Sequence, residues 1–393
     1  MTAADPQVSL TSTAAPTPVE RRPFALVCGG GTAGHVVPAI AVGRALVELG
    51  HDPATIEFVG ARRGIEGRLV PAAGFAVTLL PGRGVERKLT ARNVPAVAGL
   101  IAAAARGVAL VARRRPAVIV SVGGYASFPG VLAGALLRVP MVVVEQNAAP
   151  GAANRVAARF ARAAAVSFPG TALPRAVVTG NPVRREVLEV DRGPAGRAAA
   201  RHALGLPADA TVIVAFGGSL GSRTINQAVL ALASDWADRS KFAIYHVVGS
   251  RDWDMMTASA PETRPEGLWY RQVRYEDRME VAYAAADLAV CRAGASTVAE
   301  LAAVGLPAVL IPLPGAPNDH QTANAQALVH AGGARLVPDG EATAARLAAE
   351  IDAVADGATL EAMGQGARSV AHRDAAREVA ALVERVSSRA DHG

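Results

Sequence analysis

Two stretches of this chain hold side chains that could move a proton or grip hydroxyls and anions. Gly29-Gly30-Gly31-Thr32-Ala33-Gly34-His35 puts a histidine at the end of a glycine turn and the start of a helix. Histidine titrates near working pH, and a helix N-terminus disfavours the imidazolium. His35 could therefore stay neutral and take a proton from a hydroxyl; the plainer reading is a histidine that caps or packs the turn. The second stretch, Cys291 to Asn324, reads CRAGASTVAELAAVGLPAVLIPLPGAPNDHQTAN. Unpaired amides at a helix start beyond Gly294 can hold an anion. Glu300 sits one turn in. It either closes a capping box with Thr297 or accepts hydrogen bonds from two vicinal hydroxyls, as on a ribose.

The elements around these stretches set their positions. Phe24–Cys28 is an apolar strand before the first glycine turn, and Leu288–Cys291 is one before the second. Further strands are predicted at 55–59, 77–80, 118–122, 141–144, 164–168 and 177–179, mostly separated by helical stretches. The pattern restarts with Thr211–Phe216, which runs into Gly217-Gly218-Ser219-Leu220-Gly221-Ser222 and a helix. Strands at 243–248, 268–273, 288–291, 308–311 and 334–337 follow, and 342–389 reads as helical. Two strand–glycine-turn–helix openings imply an α/β chain of two doubly wound domains. In such sheets ligands bind at the carboxyl ends of strands. The Gly/Ala/Arg-rich stretch 191–201 carries no strand and marks the break. The domains are placed at 24–183 and 184–374, after a disordered tail over 1–23.

Composition narrows the partners. The 393 residues are 51% hydrophobic, enough for two cores. Residues 1–180 hold 19 Lys/Arg and 8 Asp/Glu, a net +11, whereas the remainder is −5. A basic half suits an anionic lipid or a polyphosphate substrate. Aromatic residues are 4% of the chain, too few for a base-stacking stripe, so nucleic acid is not expected. Cys28 and Cys291 are predicted to be buried thiols. Residues 94–112 have Arg106 as their only charge, but the spacing of Val94, Val97, Ile101, Ala104, Val108 and Val111 suits a packed or amphipathic helix better than a membrane span. The basic, glycine-rich loop 81–88, with Arg83, Arg87 and Lys88, could sit on an anionic membrane surface.

Other motifs are weaker. Gly29, Gly31 and Gly34 match GxGxxG, but no carboxylate stands at the end of the next strand, Thr55–Val59, where a dinucleotide's ribose would need one. The loop is read instead as a diphosphate- or sugar-approach loop. Asp252-Trp253-Asp254 could hold a divalent cation, but it lies in a helix-prone segment outside the glycine turns. Zinc spacing, G-x-S-x-G and GxxxxGK[ST] are absent, so no metal or cofactor is expected.

Seven motifs occur in one order: GGTAGH at 30–35, SVGGYASFPG at 121–130, EQN at 145–147, GNPVR at 180–184, GGSLGS at 217–222, CRAGASTVAE at 291–300 and DHQTANA at 319–325. In this the chain resembles the MurG family of bacterial transferases, which add N-acetylglucosamine to lipid I. The resemblance implies the GT-B arrangement: two Rossmann-like domains facing a central cleft, with the last helix, about 375–388, crossing back. It implies UDP-N-acetylglucosamine on the C-terminal domain. Glu300 would then meet the ribose, and Ala295, Ser296, Thr297, Val298 and Ala299 the diphosphate and ribose. Ser219 and Arg184 would approach the diphosphate, Gln321 and Asn324 the sugar hydroxyls, and Arg292 would support the loop. Thr32, Ala33, Gly34, His35 and Asn147 would line the acceptor side, beside an acceptor loop at Gly123, Gly124 and Tyr125. His35 would be the general base for an inverting transfer to a lipid diphosphate acceptor, at the cytoplasmic face of the cell membrane.

Two positions depart from the family pattern. Ala33 replaces the second glycine of GGTGGH, and Glu276 stands beside the uracil where isoleucine is usual, leaving backbone groups to read the base. A UDP-N-acetylglucosamine 2-epimerase of the same fold, or a non-catalytic peripheral membrane protein, are the rival readings.

Overall fold

The computed structural model describes residues 22–62, 64–81, 93–261 and 266–388, without the side chains of 93–98. The first sheet is built from β1 (Ala25–Gly29), β2 (Ile56–Ala61), β3 (Ala76–Leu80), β4 (Val118–Gly123), β5 (Met141–Glu145), β6 (Ala163–Val166) and β7 (Ala176–Val178). The second has β8 (Thr211–Phe216), β9 (Phe242–Val247), β10 (Trp269–Val273), β11 (Leu288–Cys291), β12 (Ala308–Leu310) and β13 (Ala334–Leu336). The orders are β3-β2-β1-β4-β5-β6-β7 and β10-β9-β8-β11-β12-β13, with parallel pairing throughout.

Near-continuous apolar strands such as Ala25-Leu26-Val27-Cys28 can be covered on both faces, which parallel sheets require. Alternate residues feed two separate layers. Val27, Val120 and Val142 pack with Val42 and Leu46 on one side of the first sheet. Leu26, Ile119 and Val143 pack with Val111 and Val131 on the other. The second sheet is covered on both faces in the same way.

Strand order reverses between β1 and β4 and between β8 and β11. A doubly wound sheet opens a crevice at such a point. The loops leaving these four strands are the four glycine turns, at 29–34, 123–125, 217–222 and 291–297.

Residues 191–201 carry no strand, as their composition suggested. Most of that stretch enters the helix Pro194–Leu204, which is anchored to the second domain. Arg197 and Arg201 both pair with Asp287, whose Oδ2 also accepts from the Val212 amide at 2.7 Å. This helix therefore belongs with the second sheet. The helix Ala375–Ser388 returns to the first domain, where Val379, Ala380, Val383 and Val386 join its core.

Residues 94–112 lie in the helix Asn93–Arg114. Of the predicted stripe, Ala104 and Val111 are buried and Val108 packs against the same core, with Ala103 and Gly107 beside them, while Ile101 is 66% exposed. No helix among the described residues is long and apolar enough to cross a membrane.

Candidate functional site

On the first domain, the helix Ala33–Glu48 starts with Thr32, Ala33 and Gly34 exposed and His35 half-buried. The Thr32 carbonyl accepts from the His35 and Val36 amides at 3.1 Å each. Thr32 Oγ1 lies 3.1 Å from His35 Nδ1, while His35 Nε2 has no hydrogen-bond partner among the described residues. Burial lowers the His35 pKa from its ordinary value. Glu145 and Glu66 oppose that shift, and His320 adds to it. The ring is thus neutral near pH 7 and able to accept a proton. His320 belongs to the second domain, and two residues before it Asn318 Nδ2 reaches Pro150 O of the first domain at 3.4 Å.

The glycine turn itself is already occupied by protein. Gly30 N donates to Gly123 O at 3.4 Å, and Gly31 N donates to Glu66 Oε1 at 2.7 Å. The expected approach loop therefore narrows to its exposed end, 32–34. Sequence reasoning missed Glu66. It looked for a carboxylate at the end of β2, whereas this one stands in the next helix, Glu66–Ala72, and folds back under the turn.

Gly123, Gly124 and Tyr125 abut this turn: a Cβ at Gly31 would lie 3.3 Å from the Tyr125 ring. Glu145, 2% exposed, shapes the turn after β5. It accepts from the Asn147 amide at 2.9 Å, from Asn147 Nδ2 at 3.3 Å, from the Gly151 amide at 3.0 Å and from Asn154 Nδ2 at 2.9 Å. With both oxygens engaged, Glu145 is not a free alternative base.

On the second domain, Gly294 caps the helix Ala295–Val304 without any side-chain cap bond. The capping-box reading of Glu300 is thereby overturned. Tyr283 Oη donates to Glu300 Oε2 at 2.9 Å, and Arg184 Nε lies 3.5 Å from Oε1. Burial raises the Glu300 pKa, while Arg184 and Tyr283 pull it down. Ser296, Thr297 and Ala299 are half-buried, and Ser296 Oγ is a buried atom without a partner among the described residues. Ala295 and Val298 are buried; Ala295 can offer its backbone amide, whereas the Val298 amide is already spent on Gly294 O at 2.9 Å.

Arg292 Nη1 donates to Ile311 O and Pro312 O at 3.0 Å each and pairs with Asp339 at 2.5 Å, bracing β11 against the loop after β12. Ser219 is exposed in the 217–222 loop. Gln321 Oε1 accepts from the Leu313 amide at 2.9 Å.

Two expectations meet obstacles, and a metal reading already disfavoured is closed. Asn324, expected at the sugar hydroxyls, is fully buried. Its Oδ1 accepts from the Ala148 amide at 2.8 Å, and its Nδ2 donates to Asn147 Oδ1 at 3.2 Å and Ala293 O at 3.3 Å. A primary amide then has little capacity left for a ligand. The Glu276 carboxylate is likewise engaged, by Tyr245 Oη at 2.6 Å and the Arg278 amide at 2.9 Å. Asp252 is 2% exposed and paired with Arg223 at 2.9 Å, which closes the DxD reading. Among the described residues no group of three or more His, Cys, Asp or Glu could hold a metal ion. Arg83, Arg87 and Lys88 lie outside the described residues.

Two Rossmann-like domains, each with glycine turns at the switch point of its sheet, are the architecture of the GT-B class. Residues 25–166 match the glycosyltransferase family 28 N-terminal domain and 212–379 its C-terminal domain, and the chain belongs to this family. Within it the chain groups with the MurG transferases. It is 42% identical, over 92% of its length and 95% of the relative's, to the UDP-N-acetylglucosamine–N-acetylmuramyl-(pentapeptide) pyrophosphoryl-undecaprenol N-acetylglucosamine transferase of Nocardia farcinica. It is 41% identical to the protein of the same name from Acidothermus cellulolyticus, over 92% of this chain and 98% of that one. The crystal structure of Acinetobacter baumannii MurG superposes with a TM-score of 0.73 at 28% identity, covering 92% of this chain and 99% of that one. The UDP-GlcNAc 2-epimerase of Neisseria meningitidis, at 11% identity and a TM-score of 0.63, shares the fold alone.

Proposed function

We propose that this chain is the hexosyltransferase that moves N-acetylglucosamine from UDP-N-acetylglucosamine to the N-acetylmuramyl hydroxyl of lipid I, giving lipid II for peptidoglycan synthesis. The observation that carries the reading is sequence identity of 42% across both domains to a transferase of that name. An epimerase would need neither a lipid acceptor nor the basic first half.

The chemistry follows from the site. The acceptor hydroxyl attacks the anomeric carbon as UDP leaves, and the centre inverts. His35 Nε2 takes the hydroxyl proton; its lowered pKa keeps the lone pair available, and Thr32 steadies Nδ1. Glu300 accepts from the ribose hydroxyls. The free amides at 295–297 meet the departing diphosphate, since Val298 N is already spent on Gly294 O at 2.9 Å, and the helix start supplies positive potential without a metal. Arg184 steadies Glu300 and adds positive charge beside the diphosphate. Ser219 and Gln321 lie at the rim of the donor side, and Asn147 at that of the acceptor side. The uracil is read by backbone groups near Glu276.

The acceptor's lipid suits a peripheral position on the cytoplasmic membrane surface, through the basic loop with Arg83, Arg87 and Lys88 and the helix beside it. The deciding experiment measures UDP release from UDP-N-acetylglucosamine with and without a lipid I analogue. Release that is independent of acceptor overturns the reading.

A further inference from the structure

We propose that Glu66 is a positioning residue for the transfer, fixing the glycine turn from beneath and presenting a negative charge to His35. The inference rests on the reading of His35 as the base. Glu66 is 2% exposed, and its Oε1 accepts from Gly31 N at 2.7 Å. Gly31 precedes Thr32, whose hydroxyl meets His35 Nδ1, so one short path of bonds joins the carboxylate to the base.

The neighbouring glycines are shaped around this carboxylate. A Cβ at Gly30, where φ is +144°, would fall 1.9 Å from Glu66 Oε1. At Gly64 a Cβ would fall 1.6 Å from Oε2. No side chain fits at either position while Glu66 keeps its place. The glycine run thus serves as a cradle for a protein carboxylate as well as an approach for a ligand. Among the described residues Glu66 Oε2 is buried without a hydrogen-bond partner, an arrangement that costs stability and that a purely structural prop would not need.

Three titratable groups act on His35 from the elements packed against it: Glu66 from the helix after β2, Glu145 from the turn after β5, and His320 from the second domain. Both carboxylates favour the protonated ring, against burial and His320. Glu145 acts the more strongly of the two; Glu66 adds to it from beneath the turn, with one oxygen on Gly31 N and the other without a partner among the described residues. Glu66 thereby keeps the imidazole basic enough to take the proton while holding it in line.

The test compares Glu66→Gln with the wild-type full chain by NMR titration of labelled histidine, the His35 signal being assigned by its loss in His35→Asn. Glutamine can still accept from the Gly31 amide but carries no charge. The His35 pKa is expected to fall by roughly half to one unit, and the acidic limb of the pH–kcat profile to move down with it. An unmoved His35 titration overturns the proposal. Glu66→Asp keeps the charge but shortens the arm. It should hold the His35 titration near wild type and lower kcat about tenfold or more; wild-type kcat in that variant also overturns the proposal. The NMR result stands whether or not His35 is the base, and His35→Ala turnover tests that reading separately.

Discussion

Asn324 Nδ2 donates to Asn147 Oδ1 at 3.2 Å, joining a helix of the second domain to the turn after β5 of the first. Asn324 also accepts from the Ala148 amide, and Asn318 Nδ2 reaches Pro150 O at 3.4 Å nearby. The two domains are thus latched across the mouth of the cleft. Asn324→Ala leaves the Ala148 amide and the Ala293 carbonyl without this partner, a loss of about 1–3 kcal/mol. A lower unfolding midpoint and a larger radius of gyration in X-ray scattering are expected. Unchanged scattering would mean that the contact does not hold the domains together.

Glu300→Gln removes the charge facing Arg184 and the proposed ribose contact while leaving helix capping untouched, since Glu300 does not cap. UDP-sugar affinity should fall by about 1.5–3 kcal/mol in calorimetry. Burial raises the Glu300 pKa, so the ionised form that accepts from hydroxyls is lost at a higher pH than for an ordinary carboxylate. Wild-type donor affinity should therefore weaken on mild acidification, and the Gln variant should not show that dependence. Equal affinities at neutral pH sink the ribose assignment.

His35→Ala should lower kcat by about 10²–10⁴ and leave donor binding nearly unchanged. Burial lowers the His35 pKa, so wild-type activity should be lost as pH falls through a value below 6.5, and the variant should lack that limb. A variant retaining more than about a tenth of wild-type kcat, a barrier change under about 1.4 kcal/mol, shows that His35 is not the base.

Serine at Arg83, Arg87 and Lys88 together should weaken binding to anionic vesicles and leave UDP affinity intact. Wild-type binding should itself fall with salt, because exposed charges are screened over about 8–10 Å. Unaltered co-sedimentation of the triple variant would assign membrane contact elsewhere.

Acid should destabilise the second domain through His246. This residue is fully buried, with Nε2 donating to Asn226 Oδ1 at 3.1 Å and Nδ1 accepting from Tyr270 Oη at 2.9 Å. Burial pushes its pKa down to about 3, so below 6.5 the unfolded chain binds a proton that the folded chain refuses. Stability is full above that value and falls by about 1.4 kcal/mol per pH unit beneath it, or about 2 kcal/mol at pH 5. Urea unfolding of wild type and His246→Gln at pH 8 and pH 5 measures the difference. Equal acid sensitivity in both would refute the assignment.

Strand positions, the two doubly wound sheets and the four glycine turns were legible in the amino-acid order. Parallel strands buried on both faces must be apolar runs, and a turn at a strand's carboxyl end needs glycine wherever φ is positive. Seven short motifs in a fixed order also disclosed the family, because each serves local backbone geometry that few residues satisfy. What the chain by itself could not settle was which polar side chains remain open to a ligand. Glu300 could be read as a helix cap until folding brought Tyr283 and Arg184 to its two oxygens. Asn324 looked free in a loop sequence, yet domain packing buries it against Asn147, far away in the chain. Glu66 gave no signal at all: its importance comes from folding back beneath Gly31, a contact that depends on where the helix after β2 leaves the sheet. Local pattern determines elements because it acts through neighbouring residues. Whether a carboxylate or amide is spent or available depends on contacts that the folded chain alone creates.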